Sequence, residues 1–281
     1  MKNDLRNPYI LPNDRPAVIQ FSGGRTSGYM LKQILDANNG LPNNAYVLFQ
    51  NTGREFHQTL DFVKECSDRW NVHITWLEYR NTQEKFEIVG YNSASRNGEP
   101  FETLISKRKY LPNVVTRYCS DVLKYRTAKN YLKSLGFKSW YSVIGFRADE
   151  AGRVERILGR KHPRETILVP LFYANVTKKE VSNFWNNSNF DLNLLNVKGK
   201  TPLGNCDGCF LKSEKNLARL CREHPDKAKW WIEQEKKIGA TFNKNFSWND
   251  LQKSSDQQPE WVFDDDNDTF CNSSHGSCEA F

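Results

Sequence analysis

Long apolar runs are missing from this 281-residue chain. Crossing a bilayer as a helix takes about 18–20 consecutive, mostly apolar residues, so no transmembrane helix is expected. The segment from Met1 to Pro16 is polar and charged and lacks the apolar stretch of a signal peptide, which makes the cytoplasm the expected location. No internal repeat is visible. Neither the G-x-x-x-x-G-K-[ST] loop nor the G-x-G-x-x-G fingerprint occurs, which argues against the kinase and dehydrogenase classes that depend on them. His57 and His162 show no ligand spacing. The 7 cysteines, placed in a reducing compartment, leave little room for structural disulfides and shift weight to metal or redox roles.

What is present describes a folded chain. Apolar residues make up 38% and aromatics 13%, outside the range of disordered compositions. Lysine and arginine exceed the acids by 40 − 33 = 7, which suits phosphate-bearing partners, nucleotides or nucleic acid alike. Lys107, Arg108, Lys109, Arg117 and Lys124 crowd one segment, and Arg156, Arg160, Lys161 and Arg164 another. Acids gather at Asp264, Asp265 and Asp266.

Periodicity divides the first half into alternating elements. Ala17–Phe21, Ala45–Gln50 and Val72–Leu77 read as strands. Ser27–Leu35 and the segment holding Leu60, Phe62, Val63 and Cys66 read as helices between them. This β-α-β-α-β pattern predicts a parallel sheet with right-handed crossovers. Asn81–Asn113 reads as loop. A helix is expected after Cys119, capped by Ser120 and closed at Gly136, then strands at Trp140–Phe146 and Ile167–Leu171, the latter confined to an edge by Pro170. Thr177–Glu180 is a capping box, Ser213 a second cap, and Pro225 opens a helix carrying Trp230, Trp231 and Ile232. From Phe242 onward the Asn-, Asp-, Ser- and Gln-rich chain reads as a poorly ordered wrap. The expected organisation is an α/β domain over 14–175 and a helical, cysteine-containing region over 176–281.

Ser22-Gly23-Gly24-Arg25-Thr26-Ser27 sits where the first strand meets the first helix. Glycines permit close backbone approach, and the helix start offers unpaired N–H groups and positive dipole. Such a turn cradles an anion, most often phosphate.

These residues resemble the PP-loop of the ATP pyrophosphatases (adenine nucleotide alpha hydrolases) and their relatives in the phosphoadenosine phosphosulfate (PAPS) reductase family. Gln50-Asn-Thr-Gly-Arg-Glu55 is similar to that family's D-T-G-x-E segment, Arg117–Lys124 to its R-x-C-x-x-x-L-K segment, and Ile144–Glu150 with Arg153 to its G-x-R-x-x-E-x-x-R segment. The four occur in family order across most of residues 15–170. The resemblance implies a five-stranded parallel, doubly wound, Rossmann-like sheet with a nucleotide at its carboxyl edge. It implies phosphate binding by Ser22, Gly23, Gly24, Arg25, Thr26 and Ser27. It also implies a nucleotide site lined by Asn51, Thr52 and Gly53, with charge neutralisation by Lys124, Arg147 and Arg153. Pyrophosphatases usually carry Asp where Thr26 stands, and reductases lack the double glycine, so both ATP with Mg²⁺ and PAPS stay open as ligands.

Cys206-Asp-Gly-Cys209 has the spacing to grip one metal ion or cluster. Cys119, flanked by Arg117 and Lys124, is expected to favour thiolate. With Cys119, Cys206 and Cys209 as three ligands, Cys221, Cys271 and Cys278 compete for a fourth. The resemblance favours a [4Fe–4S] cluster; structural zinc and no metal are the alternatives. Cys278 lies where the reductases keep a C-terminal nucleophile, though in a different motif. Cys66 reads as core, and Trp185, Trp230 and Trp231 as packing rather than base stacking. Function stays open among three readings. The first is sulfur chemistry on an adenine nucleotide, by sulfonucleotide reduction or ATP-dependent thiolation. The second is an ATP pyrophosphatase with structural zinc, and the third a non-catalytic nucleotide or nucleic-acid binder. A nucleic-acid or thioredoxin-like partner and a homo-oligomer are the further alternatives.

Overall fold

The computed structural model describes residues 7–257. Strand β1 (Ala17–Gln20) leads through the glycine turn into α1 (Arg25–Ala37). Then follow β2 (Ala45–Asn51), α2 (His57–Arg69) and β3 (Ile74–Glu78). After a short β4 (Glu87–Val89) and α3 (Glu99–Arg108), a π-helical stretch (Ser120–Arg126) runs directly into α4 (Thr127–Ser134). The sheet is completed by β5 (Trp140–Val143) and, after α5 (Ala151–Leu158), by β6 (Glu165–Leu168). Helices α6 (Pro170–Tyr173), α7 (Lys178–Asn186), α8 (Glu214–Glu223), α9 (Pro225–Ile238) and α10 (Trp248–Gln257) follow.

The strand order is β4-β3-β2-β1-β5-β6. Five strands run parallel, as expected, and β4 adds a sixth, antiparallel to β3 at one edge. Alternation along β1 explains the two-sided core. Ala17, Ile19 and Phe21 join the cluster that contains α1, α2 and the C-terminal helices, whereas Val18 joins Leu48, Leu77, Leu132 and Trp140 beneath α4. Both faces are thus covered, as a parallel sheet requires.

Several expectations shift. Residues 81–113 are not all loop, since β4 and α3 lie within them. The last strand ends at Leu168, because Pro170 occupies the first turn of α6, where its missing N–H costs no hydrogen bond. Ser120 opens a π-helical stretch, and Gly136 follows α4 with φ +83°. Thr177 and Ser213 cap α7 and α8. The stretch from Phe242 to Trp248 is no loose wrap. Both aromatics are buried, Trp248 stacks on Trp231, and the amides of Phe242 and Trp248 donate to the Glu235 carboxylate at 3.0 and 2.8 Å.

Candidate functional site

β1 and β5 are neighbours, and beyond them the strand order runs off in opposite directions. A crevice forms at the carboxyl ends of strands where an open α/β sheet reverses in this way. The glycine turn follows β1 and Arg147 follows β5, so the topology alone brings them together. The Arg147 Nη1 donates to Thr26 Oγ1 at 3.1 Å.

The turn owes its shape to two residues. Gly23 has φ +74°, and a Cβ there would stand 2.7 Å from the Thr59 methyl. Ser27 braces the loop from inside. Its hydroxyl accepts from the amides of Ser22 and Gly24 at 3.2 and 3.3 Å and donates to the Gly24 carbonyl at 2.9 Å. The expectation that all six residues face phosphate is therefore corrected: Ser27 and two amides hold the loop itself. The first-turn amides of Arg25 and Thr26 remain, since a helix start offers them no intrahelical acceptor.

A narrow cavity, partly open to solvent, lies against this helix start. Gly23, Gly24, Arg25, Thr26, Thr59, Arg147 and Lys178 line it, together with Asn196, Thr201, Gly204 and Asn205 from the later chain. Among the described residues no carboxylate does. The Thr59 hydroxyl is buried without a hydrogen-bond partner, as is Asn196 Oδ1. Buried polar groups are normally satisfied, so both mark places where a ligand or water completes the site.

The buried arginines divide the labour. The Arg25 guanidinium is anchored to the later chain: Nε donates to Asp191 Oδ1 at 2.7 Å, Nη1 to Thr201 Oγ1 at 2.8 Å and Nη2 to the Leu194 carbonyl at 2.8 Å. Arg25 and Thr201 both line the cavity. Arg147 is gripped by Asp149 through Nε at 2.8 Å and Nη2 at 3.1 Å, and lies 3.3 Å from Glu150. Arg153 does not line the cavity. It pairs with Glu150 and lies over the Phe146 ring, so it shares a carboxylate with Arg147.

Lys124, Cys119, Cys206 and Cys209 belong to a second, smaller cavity. Thr52, Cys119, Ser120, Lys124, Cys206, Cys209 and Trp231 line it. The two cavities meet along consecutive residues, with Asn205 on one wall and Cys206 on the other. Thr52 Oγ1 lies 3.3 Å from Cys206 Sγ and 2.9 Å from both oxygens of Glu55. Burial pushes the Glu55 carboxyl above its usual range, opposed by Lys124 and by the Thr52 hydrogen bonds.

Asn51 and Gly53, expected at the nucleotide, are not among the residues that line the cavity against α1. Asn51 is fully buried, donates to Glu78 at 2.6 Å and to the Ser95 carbonyl at 2.8 Å, and accepts the Gly53 amide at 3.1 Å. Gly53, with φ +79°, packs against Gly98 and Pro100. Thr52 faces the cysteines rather than the phosphate loop.

The C-x-x-C loop is held from below. Asp207 is fully buried and pairs with Arg54 at 2.6 Å, while accepting from the Gly208 amide at 2.7 Å and Trp231 Nε1 at 2.8 Å. Trp230 and Trp231 pack in this core, and Trp185 donates its indole N–H to the Arg25 carbonyl at 2.8 Å. Cys66 is core, its thiol pushed up by burial, and Cys221 is buried on α8. The three thiols that line the cavity suit a thiophilic group. As the side chains stand, no three His, Cys, Asp or Glu among the described residues form a metal-holding group. Cys271 and Cys278 lie outside the described residues.

Sequence reasoning missed Thr59, Lys178, Arg54, Asp207 and Glu55. Lys178 carried a signal as the first residue inside the Thr177 capping box, and Arg54, Glu55 and Asp207 lay inside motifs already singled out.

Residues 16–210 match the family described as phosphoadenosine phosphosulfate reductase domain. The uncharacterized nin region protein ORF290 of Escherichia phage lambda is 26% identical over 215 residues, 73% of this chain and 69% of that protein. An uncharacterized protein of Methanocaldococcus jannaschii is 28% identical over 137 residues, 49% of this chain but only 27% of its own length. Among solved structures, the phosphate complex of PAPS reductase from Candida auris aligns with a TM-score of 0.37 at 14% identity, over 62% of this chain and 73% of that one.

Proposed function

Because the chain belongs to the phosphoadenosine phosphosulfate reductase domain family, we propose that it binds an adenine nucleotide at the start of α1 and carries out sulfur-related chemistry on it. The carrying observation is the cavity: helix start, Arg147, Lys178 and an unsatisfied Thr59 hydroxyl, with no carboxylate among the described residues that line it. An anion there gains first-turn amides, the helix dipole and two cations in a partly water-excluded space. Arg147 and Lys178 would stabilise charge that develops on the phosphate or sulfate as the bond beside it breaks. Asp149 and Glu150 fix the Arg147 fork, and Arg153 positions Glu150. Both ATP and PAPS offer such an anion, so sulfonucleotide reduction and ATP-dependent thiolation share this chemistry.

Cys119, Cys206 and Cys209 would hold a [4Fe–4S] cluster or a zinc ion through thiolate sulfur, beside Lys124. A cluster would supply an electron-carrying or polarising centre next to the nucleotide, and zinc a structural clamp. The side chains of Thr52 and Glu55 shape that wall. An ATP pyrophosphatase with structural zinc differs from the first reading only in this group.

The test is a titration of anaerobically purified protein with ATP and with PAPS, alongside its visible spectrum and metal content. Gly24→Asp should abolish binding of both. Gly24 is the N-cap of α1, with φ −104° and ψ 162°. Aspartate is a preferred N-cap, so the variant should fold while its carboxylate occupies the anion's place. Unchanged affinity in folded Gly24→Asp protein would sink the assignment.

A further inference from the structure

The stretch that carries Cys119 and Lys124 into the cysteine cavity is wound in an uncommon register. Ser120–Arg126 is π-helical, a winding in which residue i bonds to i+5 and which recurs at functional sites. Three relations across five positions read the same register. Cys119 and Lys124 both line the cavity. Asp121 pairs with Arg126 Nε at 2.7 Å. The Thr127 hydroxyl donates to the Val122 carbonyl at 2.9 Å. In an α-helix, at about 100° per residue, positions five apart point about 140° from one another and do not share a face.

Thr127 stands where this winding tightens, as the first residue of α4. An α-register would hand the Val122 carbonyl to the Arg126 amide. The Thr127 hydroxyl, fully buried, occupies that carbonyl from five positions on. Rewinding the stretch to α would take this acceptor away and leave a buried hydroxyl unsatisfied, which is costly. The side chain therefore favours the wider winding.

We propose that Thr127 is a positioning residue for the cysteine cavity: by holding the Val122 carbonyl it sets Lys124 on the same side of the helix as Cys119. Thiolates gathered on one group accumulate negative charge, and a cation fixed beside them offsets it. Lys124 also acts across the cavity on the Glu55 carboxyl. The register adds the Cys119 wall to its reach. Thr127's role rests on the cysteine cavity belonging to the proposed site, but its measurement needs neither nucleotide nor metal.

The experiment compares the rates at which iodoacetate and iodoacetamide alkylate Cys119 in the chelator-treated full chain, read by peptide mass spectrometry beside thermal unfolding. Both reagents attack the same thiolate, so their rate ratio cancels its availability and reads the charge nearby. Cys119 is partly exposed, whereas Cys66, Cys206, Cys209 and Cys221 are buried. The parent ratio should exceed that of Lys124→Gln about fivefold, the effect of one unit charge a few ångströms away in water. Thr127→Val keeps the shape without the hydroxyl and should lose the same factor, and Thr127→Ser should keep the parent ratio. Thr127→Val combined with Lys124→Gln should fall no further than either alone, since both remove one interaction. Equal ratios in the parent and Lys124→Gln, or a Cys119 that reacts with neither reagent, would overturn the pairing. A parental ratio in folded Thr127→Val would overturn the role of Thr127, and Thr127→Ala carries the same comparison if the valine variant does not fold. Failure of ATP and PAPS to bind the parent protein would overturn the nucleotide reading and leave these ratios unchanged.

Discussion

Thr59 shows how much a single side chain can reveal. It is 2% exposed, its methyl fills the space that Gly23 leaves, and its hydroxyl has no partner. A buried hydroxyl without a partner weakens the fold, so Thr59→Val should leave stability unchanged or raise it slightly. A hydrogen bond to a charged group is worth about 1.5–3 kcal/mol, so the same variant should bind ATP or PAPS roughly tenfold more weakly or worse. Thr59→Ser should restore most of it. Calorimetric titration beside thermal unfolding checks this, and equal affinity in Thr59→Val would remove Thr59 from the site. At this scale the sequence was readable where the chemistry is contiguous. Ser22–Thr26 announced an anion site because strand, glycines and helix succeed one another. Thr59 and Asn196 carry no motif, since their significance arises only when distant segments close on the same space. The Arg25–Asp191 contact was equally hidden, because its partners stand far apart in the sequence.

Among the elements, the C-x-x-C loop depends most on a single interaction. Asp207 and Arg54 form an ion pair with side chains 0% and 4% exposed. Removing one partner of such a pair strands the other charge, at about 3–5 kcal/mol. Asp207→Asn should lower unfolding stability by that amount in urea. A loss below about 1 kcal/mol would show that water or a neighbour relieves Arg54. This brace was not legible: Asp207 stands between two cysteines and Arg54 inside the Gln50–Glu55 motif, and nothing in either pattern pairs them. The elements themselves were legible in proportion to their burial. The inner strands β1, β2, β3 and β5 form apolar runs. β4 has only three residues, two of them exposed, and leaves no pattern. α10 was hidden by its polar composition, although Ser247 and Asp250 bond across its first turn at 2.7 and 3.1 Å, the signature of a cap.

For the molecule as a whole, the C-terminal helices share one core with the sheet, with Trp231, Phe242 and Trp248 in the same cluster as Ile19 and Phe49. Sequence periodicity showed these helices but not that they pack as one body with the sheet, because the ring contacts across Trp231 are long-range. Glu235 fastens the last part of this assembly. Burial raises its carboxyl pKa, against the two amides it accepts. The folded state then holds this proton more tightly than the unfolded chain, where a glutamate titrates near about 4.3. The contribution is therefore most favourable at or below that pH and declines as pH rises through the raised folded value. Urea midpoints from pH 4 to 7 should fall less steeply in Glu235→Gln than in the parent, and parallel curves would contradict the assignment.

The Arg25 anchor has one more consequence. The guanidinium that begins α1 ends on Asp191, Leu194 and Thr201, some 170 positions later in the chain. The roof of the cavity is thereby riveted to its floor. Swinging that roof aside would expose a charged fork with nothing to hold, so the fold itself keeps the two walls together.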